Sequence, residues 1–332
     1  MDPLTQGVVG SAVVQKFSNK KHILIATILG FFSGLAPDLD IFIRSSHDPL
    51  LALEYHRQFT HSLIFIPIGG LICATFFYYL YARRKGIEFK QLFIYCTLGY
   101  GTHGLLDSCT SYGTQLFWPF SDTRIAWNTI SIIDPVFTLP ILILIITGAL
   151  KRKKIYSYLS LFWIIVYCSF GVIQQERARD VAINLANSRG HFNVSIDVKP
   201  SFANLIVWKT IYSQNNSYFV DAVKVGFHKK IYEGSKIEKL SIRKSFPWLD
   251  HKSQQARDIE RFRWFSGGYL AISKKYPNRI IDIRYSMLPN EINGLWGIEL
   301  NKLATRKSHV KYVFNRNRDL DSAKKLIKMI KN

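Results

Sequence analysis

Histidines and carboxylates occur in short polar islands between apolar segments in the first half of the chain. His103 and Asp107 are four residues apart in a segment expected to be helical, so their side chains share one helix face. An imidazole and a carboxylate so placed can bind one metal ion, or they can hydrogen-bond to each other and hold helices together. The spacing therefore predicts a pair that either ligates a metal or has a structural role.

A second island, residues 55–62, brings two histidines and an arginine together. His56 and His61 are five residues apart, and His61 comes just before an expected helix, a position that also attracts anions such as phosphate. Arg57 beside them can clamp a phosphate or a carboxylate through its two-pronged guanidinium. The alternatives are a solvated loop position for His56, a capping role for His61 and a plain surface position for Arg57.

Acidic residues lie at the ends of two further apolar segments. Asp38 and Asp40 follow Pro37, and two neighbouring carboxylates repel each other unless a cation or a proton intervenes. Asp134 precedes Pro135 at the start of an expected helix, where a carboxylate is also a favourable N-terminal cap. Ionisable groups at membrane depth are costly unless they are paired or ligated, so we interpret these acids as candidate site residues.

Together these residues form a set of nitrogen and oxygen donors without a thiolate. Such a set suits zinc, manganese or iron. The four cysteines lie in or beside apolar segments and have no zinc-ribbon or redox spacing. No Ser-His-Asp order, P-loop or dinucleotide fingerprint accompanies the islands. We therefore predict a divalent metal as the cofactor, with zinc as the first choice and manganese or iron as alternatives.

The elements that must position these residues are membrane helices. A hydrocarbon core about 30 Å thick needs roughly 20 apolar residues in a helix. Three segments reach that length, namely Ser62–Ala82, Ile130–Leu150 and Ile155–Ile173. Phe89–Leu106 is long enough but contains three glycines and His103, so we expect it to pack against protein. Gly7–Phe17 and His22–Ala36 are shorter, and we expect a hairpin of short helices or partly immersed segments there.

Basic residues in short loops predict the orientation of these helices, because such loops stay in the cytoplasm. They cluster at residues 16–21, 83–85 and 151–154. Placing these clusters inside puts every polar island and the C-terminal half on the opposite face. We therefore expect a bacterial inner-membrane protein whose site and C-terminal domain are non-cytoplasmic. The start of the sequence has no basic residues, so we predict no signal peptide.

Charge divides the chain into two parts near residue 174. Residues 1–173 carry 14 basic and 9 acidic residues, whereas residues 174–332 carry 30 and 14, and the whole chain has a net charge of +21. With 48% hydrophobic and 14% aromatic residues, disorder and a fibrous repeat are excluded, and so is a single soluble domain. We predict a mainly α protein, with a polytopic helical membrane domain over 1–173 and a basic soluble domain over 174–332.

The basic half is predicted to be α+β or mostly β. Its pattern indicates a charged helix over Gln174–Asn187, strands over Ser217–Gly226 and Arg279–Tyr285, and turns at 266–268 and 277–278. Such a domain next to a bilayer is attracted to anionic headgroups, so membrane lipid is an expected partner. Nucleic acid is disfavoured as a partner, because no nucleic-acid motif is present and the predicted orientation points away from the cytoplasm.

The end of the chain, Ser322–Lys331, has the pattern of a basic amphipathic helix. Its predicted apolar stripe consists of Leu326, Ile327 and Ile330.

As a set, the polar islands resemble the membrane-bound, metal-dependent hydrolases of the YdjM-like group. The resemblance covers nearly all of residues 1–150 and, more loosely, parts of the C-terminal half. It is carried by Met1–Gly7, Ala36–Asp40, Tyr55–Ser62, Thr102–Phe120 and Trp127–Pro135. That group is placed with the zinc-dependent phospholipase C and P1-nuclease fold, an α-helical scaffold that carries its metals on histidine and aspartate.

The resemblance implies roles for seven residues. The metal ligands would be Asp40, His61, His103 and Asp107, and the catalytic residues beside them would be Asp38, His56 and Asp134. This chain has fewer histidines than the soluble relatives use, which argues against a full three-metal cluster. Gly104 also stands where a proline is common in the family.

The function that follows is that of an integral membrane hydrolase. It would act by metal-activated water on a phosphoester, either of a lipid or of another anionic substrate, with Asp38 or Asp134 as a proton acceptor. One alternative is a non-catalytic binding or scaffold protein with a structural metal or simple His/Asp helix pairing. The other is a metal-ion transporter, which needs its polar residues near the membrane midplane. The sequence favours one layer at the helix ends.

Overall fold

The computed structural model describes residues 1–85, 87–315 and 320–331, and it divides into two compact units. The first, here called the helical unit, consists of Met1–Phe42, Tyr55–Ile173 and Phe202–Leu205. The second, the sheet unit, consists of Ile43–Glu54, Gln174–Ser201 and the chain from Ile206 onward. The sheet unit thus includes a short segment that lies between two of the polar islands in the sequence.

The described helices and strands follow in chain order. The helices are α1 (Pro3–Phe17), α2 (Ile23–Leu35), α3 (Leu51–Tyr55), α4 (Ile66–Leu80), α5 (Phe89–Ser108), α6 (Pro135–Lys151), α7 (Ile155–Ser188), α8 (Ile242–Ser245), α9 (Gln254–Phe265) and α10 (Leu320–Lys331). The strands are β1 (Ile196–Pro200), β2 (Val207–Gln214), β3 (Ser217–Val225), β4 (Lys229–Glu238), β5 (Leu270–Ile272), β6 (Arg279–Asp282), β7 (Trp296–Glu299) and β8 (Lys311–Phe314).

Three helical segments among the described residues are long and apolar enough to cross a membrane. They are Lys20–Phe42, Leu63–Leu80 and Ile155–Ser188. The second and third contain the predicted spans Ser62–Ala82 and Ile155–Ile173 almost entirely, so those two predictions are confirmed. The side chains of Arg84 and Lys85, two of the basic residues used to predict the orientation, lie outside the described residues.

Two of the predicted membrane segments differ from the structure. The segment His22–Ala36 was expected to be too short to span, but 3-10 turns at both of its ends extend the helical run to Lys20–Phe42. The expected span Ile130–Leu150 contains only the shorter helix α6. It is shortened because Asp134 caps the helix and Pro135 begins its first turn, so the residues before them are not helical.

Close helix contacts through glycine hold the helical unit together, and they confirm the predicted hairpin of α1 and α2. A Cβ atom on Gly10 would lie 2.4 Å from the carbonyl oxygen of Gly30, so these two helices touch backbone to backbone. Gly99 of α5 approaches the same place, where an added Cβ would lie 2.9 Å from the Gly30 carbonyl oxygen. Small residues at such crossings let membrane helices approach closely.

Two antiparallel four-stranded sheets make up the β structure described in the sheet unit, each with its strands in chain order. Ile211 and Val220 of the first sheet share a buried core with Ile281 of the second. The chain is about half helical, with candidate membrane helices followed by this α+β domain. The predicted fold class is therefore confirmed.

Most of the elements predicted in the C-terminal half are present in the structure, but some of them begin or end at other residues. The strand predicted over Ser217–Gly226 is β3, whereas only the first four residues of Arg279–Tyr285 form β6. Both predicted turns are present. The charged helix predicted over Gln174–Asn187 is not separate, because it is the second half of α7 and continues the apolar segment without a break.

The amphipathic helix predicted at the end of the chain is α10. Leu326 is buried as predicted, and Ile330 packs against the same core. Ile327, which was predicted to be part of the apolar stripe, is 51% exposed, and Met329 is buried instead. At about 100° per residue, positions 326, 329 and 330 lie within an arc of about 100° on the helix, and position 327 lies outside that arc.

Arg261 of α9 holds the segment Ile43–Glu54 within the sheet unit. Its guanidinium lies 2.8 Å from a carboxylate oxygen of Asp48, 3.0 Å from one of Asp258, and within hydrogen-bond distance of Glu54. Asp258 is buried, and it also accepts a hydrogen bond from the backbone N–H of Val310. Arg261 therefore pairs with three carboxylates, two of which belong to the segment, and the His309 imidazole lies 2.9 Å from the third, Asp258.

Replacing Arg261 by methionine should free the segment. Arg261→Met removes the guanidinium and leaves only the His309 imidazole beside Asp258 and Asp48, and we expect the sheet unit to lose about 3 kcal/mol of stability. Limited proteolysis should then cleave within residues 43–54. Arg263→Met is the matched control, because Arg263 lies on the same helix and pairs with the exposed Glu260; its loss should cost about 0.5 kcal/mol or less. Equal protection in both variants would contradict the assignment.

Candidate metal centre

Six of the seven predicted site residues meet within the helical unit. They form two overlapping groups whose potential ligand atoms lie within 4.8 Å of one another. The first group, here called the inner group, contains Asp38, His61, His103 and Asp107. The second, the outer group, contains Asp38, Asp40 and His56. The structure thus assembles residues that are up to 69 positions apart in the sequence.

Five of the six residues lie at the ends of long apolar helical segments. Asp38 and Asp40 are in the 3-10 turns that follow α2, and His61 ends the turn just before the Leu63–Leu80 span. His103 and Asp107 are in the last two turns of α5. Successive spans cross a membrane in opposite directions, so the end of one and the start of the next lie at the same face. These residues therefore lie together at the helix ends and not at the middle of the helices, which is the arrangement that the sequence favoured.

Two contacts fix how the histidines face the inner group. Nδ1 of His103 lies 2.6 Å from the carbonyl oxygen of Gly34, so it donates that hydrogen bond and leaves Nε2 unprotonated in the neutral ring. A Cβ on Gly104 would lie only 2.2 Å from the carbonyl oxygen of His61. Glycine at position 104 therefore allows the His61 backbone to pack directly on α5.

The spacing of the inner group matches a set of metal ligands better than a set of hydrogen bonds. Nε2 of His61 lies 3.4 Å from Asp38 and 3.5 Å from Asp107, and Nε2 of His103 lies 3.3 and 3.7 Å from the same two carboxylates. Direct hydrogen bonds from nitrogen to oxygen are usually about 2.7–3.2 Å long. Two atoms that each lie about 2.05 Å from a zinc ion at the tetrahedral angle are about 3.4 Å apart.

Buried polar atoms without partners point to the same conclusion. Within the part of the chain that the structure describes, Nε2 of His61, Nε2 of His103 and Oδ2 of Asp107 have no hydrogen-bond partner. A buried polar atom without a partner costs on the order of 1–3 kcal/mol. A cation among these three atoms would satisfy all of them at once, so the donor set fits a divalent metal.

Asp40 has a different environment from Asp38. It is buried, and it accepts hydrogen bonds from the backbone N–H of Arg57 at 3.0 Å and from the Thr60 hydroxyl at 2.9 Å. Its other oxygen lies 2.7 Å from Nδ1 of His56. The Asp38 carboxylate is 24% exposed and belongs to both groups. The resemblance implied Asp40 as a ligand, whereas the structure has Asp38 in the inner group.

Positive charge lies beside both carboxylate oxygens of Asp107, including Oδ2, the oxygen that faces the histidines. Nε of Arg57 lies 2.9 Å from Oδ2 of Asp107, and the amino group of Met1 forms an ion pair with Oδ1. The amide of Gln6 donates a hydrogen bond of 2.8 Å to the same oxygen. Arg57 is buried and stacks on the ring of Tyr112, so the surface position considered for it is wrong.

Sequence reasoning named Arg57 but missed Met1 and Gln6 as neighbours of the site. The available signal was the matching stretch Met1–Gly7, whose polar residues begin an otherwise apolar helix.

Asp134 is not part of either group. Its side chain accepts a hydrogen bond from the backbone N–H of Phe137 at the start of α6 and another, of 2.7 Å, from the hydroxyl of Tyr167. This is the capping role that the sequence also allowed.

The charge state of His61 depends on the carboxylates around it. Burial alone would lower the pKa of its imidazole, but the surrounding carboxylates of Asp107, Asp38 and Asp40 raise that pKa to about 10. The metal-free site therefore holds a proton that a metal must displace.

Comparisons with known proteins agree with a membrane assignment. A family model described as "YdjM inner membrane protein" matches residues 1–178, more than half of the chain. The uncharacterized protein YfhP of Bacillus subtilis is 25% identical over 270 residues, which cover 79% of this chain and 77% of YfhP. The inner membrane protein YbcI of Escherichia coli is 28% identical over 107 residues, which cover 31% of this chain and 60% of YbcI. No solved structure matches.

Metal content should depend on the inner group and not on Asp134. We expect the detergent-purified protein to bind at least one divalent transition metal per chain, and His61→Ala and Asp107→Asn to lose it, because each removes an inner-group donor. Asp134→Asn is the matched control, since asparagine also caps helices and the site is untouched. Elemental analysis measures the result. Metal retained in both site variants would refute the inner group as its ligands.

Metal binding should release a proton and strengthen as the pH rises. Because the raised pKa keeps His61 protonated below about pH 10, metal affinity should increase by up to about tenfold per pH unit. Calorimetric titration of zinc near neutral pH in two buffers of different ionisation enthalpy counts the protons released. The count should be about one higher than in a His61→Gln variant that still binds zinc weakly. An affinity that is constant across neutral pH would contradict this.

Proposed function

This chain belongs to the YdjM inner membrane protein family, and we propose that it is a metal-dependent hydrolase that cleaves a phosphoester at the membrane surface. The proposal rests on the inner group, in which Nε2 of His61, Nε2 of His103 and Oδ2 of Asp107 are buried and have no hydrogen-bond partner among the described residues, although Oδ2 forms an ion pair with Arg57. We also propose Asp38, His61, His103 and Asp107 as the metal ligands, with zinc as the first metal to test.

The ligand set is compatible with metal-assisted hydrolysis. A divalent cation bound by histidine and aspartate supplies Lewis acidity and lowers the pKa of a bound water toward about 7. The chain's own contribution is to hold His61 and His103 rigidly through their Nδ1 atoms and to keep Asp107 charged through Arg57. These groups are buried, so bulk water competes little with a substrate there.

His56 is the residue best placed to move a proton. Its Nδ1 is 2.7 Å from the buried carboxylate of Asp40, which orients the ring, and its side chain is 24% exposed. A carboxylate behind a histidine is the usual arrangement for general acid–base catalysis, because it fixes the tautomer and stabilises the imidazolium. We propose that His56 protonates the leaving group and that Asp40 positions it. Asp134 has no role in this proposal.

The substrate is proposed to be anionic and to approach from the non-cytoplasmic side. The basic residues that predict orientation lie in the α1–α2 loop, after α4 and in the α6–α7 loop, at the helix ends opposite the site. A site at a helix end is open to lipid headgroups or to soluble molecules at the surface. Phosphoesters of either kind fit a site with one or two cations.

A structural metal is the second candidate function. Four protein donors complete a tetrahedral shell, as in structural zinc sites, whereas catalytic sites keep one position open. Asp38 is partly exposed and belongs to both groups. This favours a catalytic metal over a structural one, since a ligand exchange at Asp38 would leave the other three inner-group donors in place. The position of the residues at the helix ends weighs against an ion transporter, which needs polar groups at the midplane.

Activity on phosphoesters tests the proposal directly. The protein in nanodiscs, supplied with zinc or manganese, is assayed against phospholipids, lipid phosphates and soluble phosphomonoesters and diesters. We expect turnover that Asp107→Asn abolishes together with the metal. His56→Gln should keep the metal and lose about 10²-fold or more in rate, while Asp134→Asn should retain both. Full metal occupancy without turnover on any phosphoester would favour the structural metal.

A further inference from the structure

The loop between β3 and β4 presents an unusually exposed aromatic residue. Gly226, Phe227 and His228 connect Val225 at the end of β3 to Lys229 at the start of β4. The side chain of Phe227 is as exposed as in an extended peptide, at 105% of the reference area. A fully exposed phenylalanine at the tip of a hairpin loses the free energy that burial would give it.

Two hydrogen bonds attach this hairpin tip to α7. The amide of Gln174 donates to the carbonyl oxygen of Val225 at 2.8 Å, and the guanidinium of Arg177 donates to that of Gly226, also at 2.8 Å. Gln174 follows directly on the apolar segment 155–173 of the same helix. At 1.5 Å per residue that segment is about 28 Å long, close to the thickness of a hydrocarbon core. The hairpin tip therefore meets α7 where its apolar segment ends.

A third contact gives the direction of β3 along the helix. Arg189, just beyond the end of α7, forms a two-pronged ion pair with Asp221 at 2.6 and 3.0 Å. Asp221 thus lies beside the C-terminal end of α7, and Val225 lies beside Gln174, where the apolar segment ends. The strand therefore runs toward the apolar segment, and Phe227 continues two residues further in that direction.

The charges around the tip favour an anionic surface. Lys229 and Lys230 are exposed, and Lys230 lies opposite Lys224 in the β3–β4 register. Like charges placed directly opposite each other destabilise a sheet unless counter-charges lie nearby. Lys230 also lines a shallow hollow with Lys325 and Lys328 of α10, which adds two more cations on this side of the sheet. Anionic lipid headgroups would compensate this cluster.

We propose that residues 226–230 form a membrane-docking tip of the sheet unit. Phe227 inserts at the boundary between headgroups and acyl chains of the bilayer that α7 crosses, and Lys229 and Lys230 contact anionic headgroups. This assignment does not depend on any metal or catalytic activity of the chain.

Spin-label depth measurements on the full chain test the proposal. The label is placed on single cysteines at Phe227, at Asn187 and at Ile165, in a chain whose four native cysteines are replaced by serine or alanine. Ile165 is 65% exposed in the middle of the apolar segment and is the membrane reference. Asn187 is exposed near the far end of α7, about 20 Å beyond Gln174, and is the water reference.

In nanodiscs that contain phosphatidylglycerol, the label at 227 should collide more often with oxygen than with a water-soluble nickel chelate. The ratio should lie closer to that at 165 than to that at 187. Lys229→Glu with Lys230→Glu should move the label at 227 toward water. A ratio equal to that at 187 would overturn the proposal, and so would a ratio that the two lysine substitutions leave unchanged.

A second measurement covers the case in which the cysteine-free chain does not fold. Phe227→Trp and Asn187→Trp are made in the otherwise unchanged chain, and emission is compared in nanodiscs with and without brominated lipids. The added tryptophan at 227 should be quenched and that at 187 should not. Equal quenching of the two added tryptophans would overturn the proposal.

Discussion

A buried carboxylate at the end of a membrane helix must be compensated, and Asp107 is that carboxylate here. Moving an isolated ion out of water costs far more than a domain's net stability, so partners have to reach it from other parts of the chain. Met1 and Gln6 contact its Oδ1, and Arg57 contacts its Oδ2, which His61 and His103 also face. The start of α1, the loop before α4 and the end of α5 therefore converge on a single charge.

That convergence requires helices to pack without intervening side chains. Gly10 and Gly30 bring α1 against α2, Gly99 brings α5 against α2, and Gly104 admits the backbone of His61. A methyl group at these four positions would separate the elements that carry the ligands. The glycines and the polar islands are thus parts of one arrangement, in which helix packing sets the distances between the donor atoms.

Local patterns predicted the elements and most of the cluster, and long-range contacts decided the rest. The i, i+4 spacing of His103 and Asp107 and the lengths of the apolar runs were enough to predict one site at the helix ends. Asp38 and Asp40 could not be told apart, because two residues in a 3-10 turn point in different directions and only their neighbours decide which faces the histidines. The attachment of Ile43–Glu54 to Arg261 depends on residues more than 200 positions apart.

The exposed fractions of the side chains in the cluster indicate from which side a ligand can reach it. His61, His103 and Asp107 are buried, and Asp40 is held by its hydrogen bonds, whereas the side chains of Asp38 and His56 are each 24% exposed. The two exposed residues share the outer group, so the accessible side of the site contains one carboxylate and one imidazole. Asp38 belongs to both groups and is the one member of the inner group that is partly exposed, so the accessible side of the inner group is the side of Asp38.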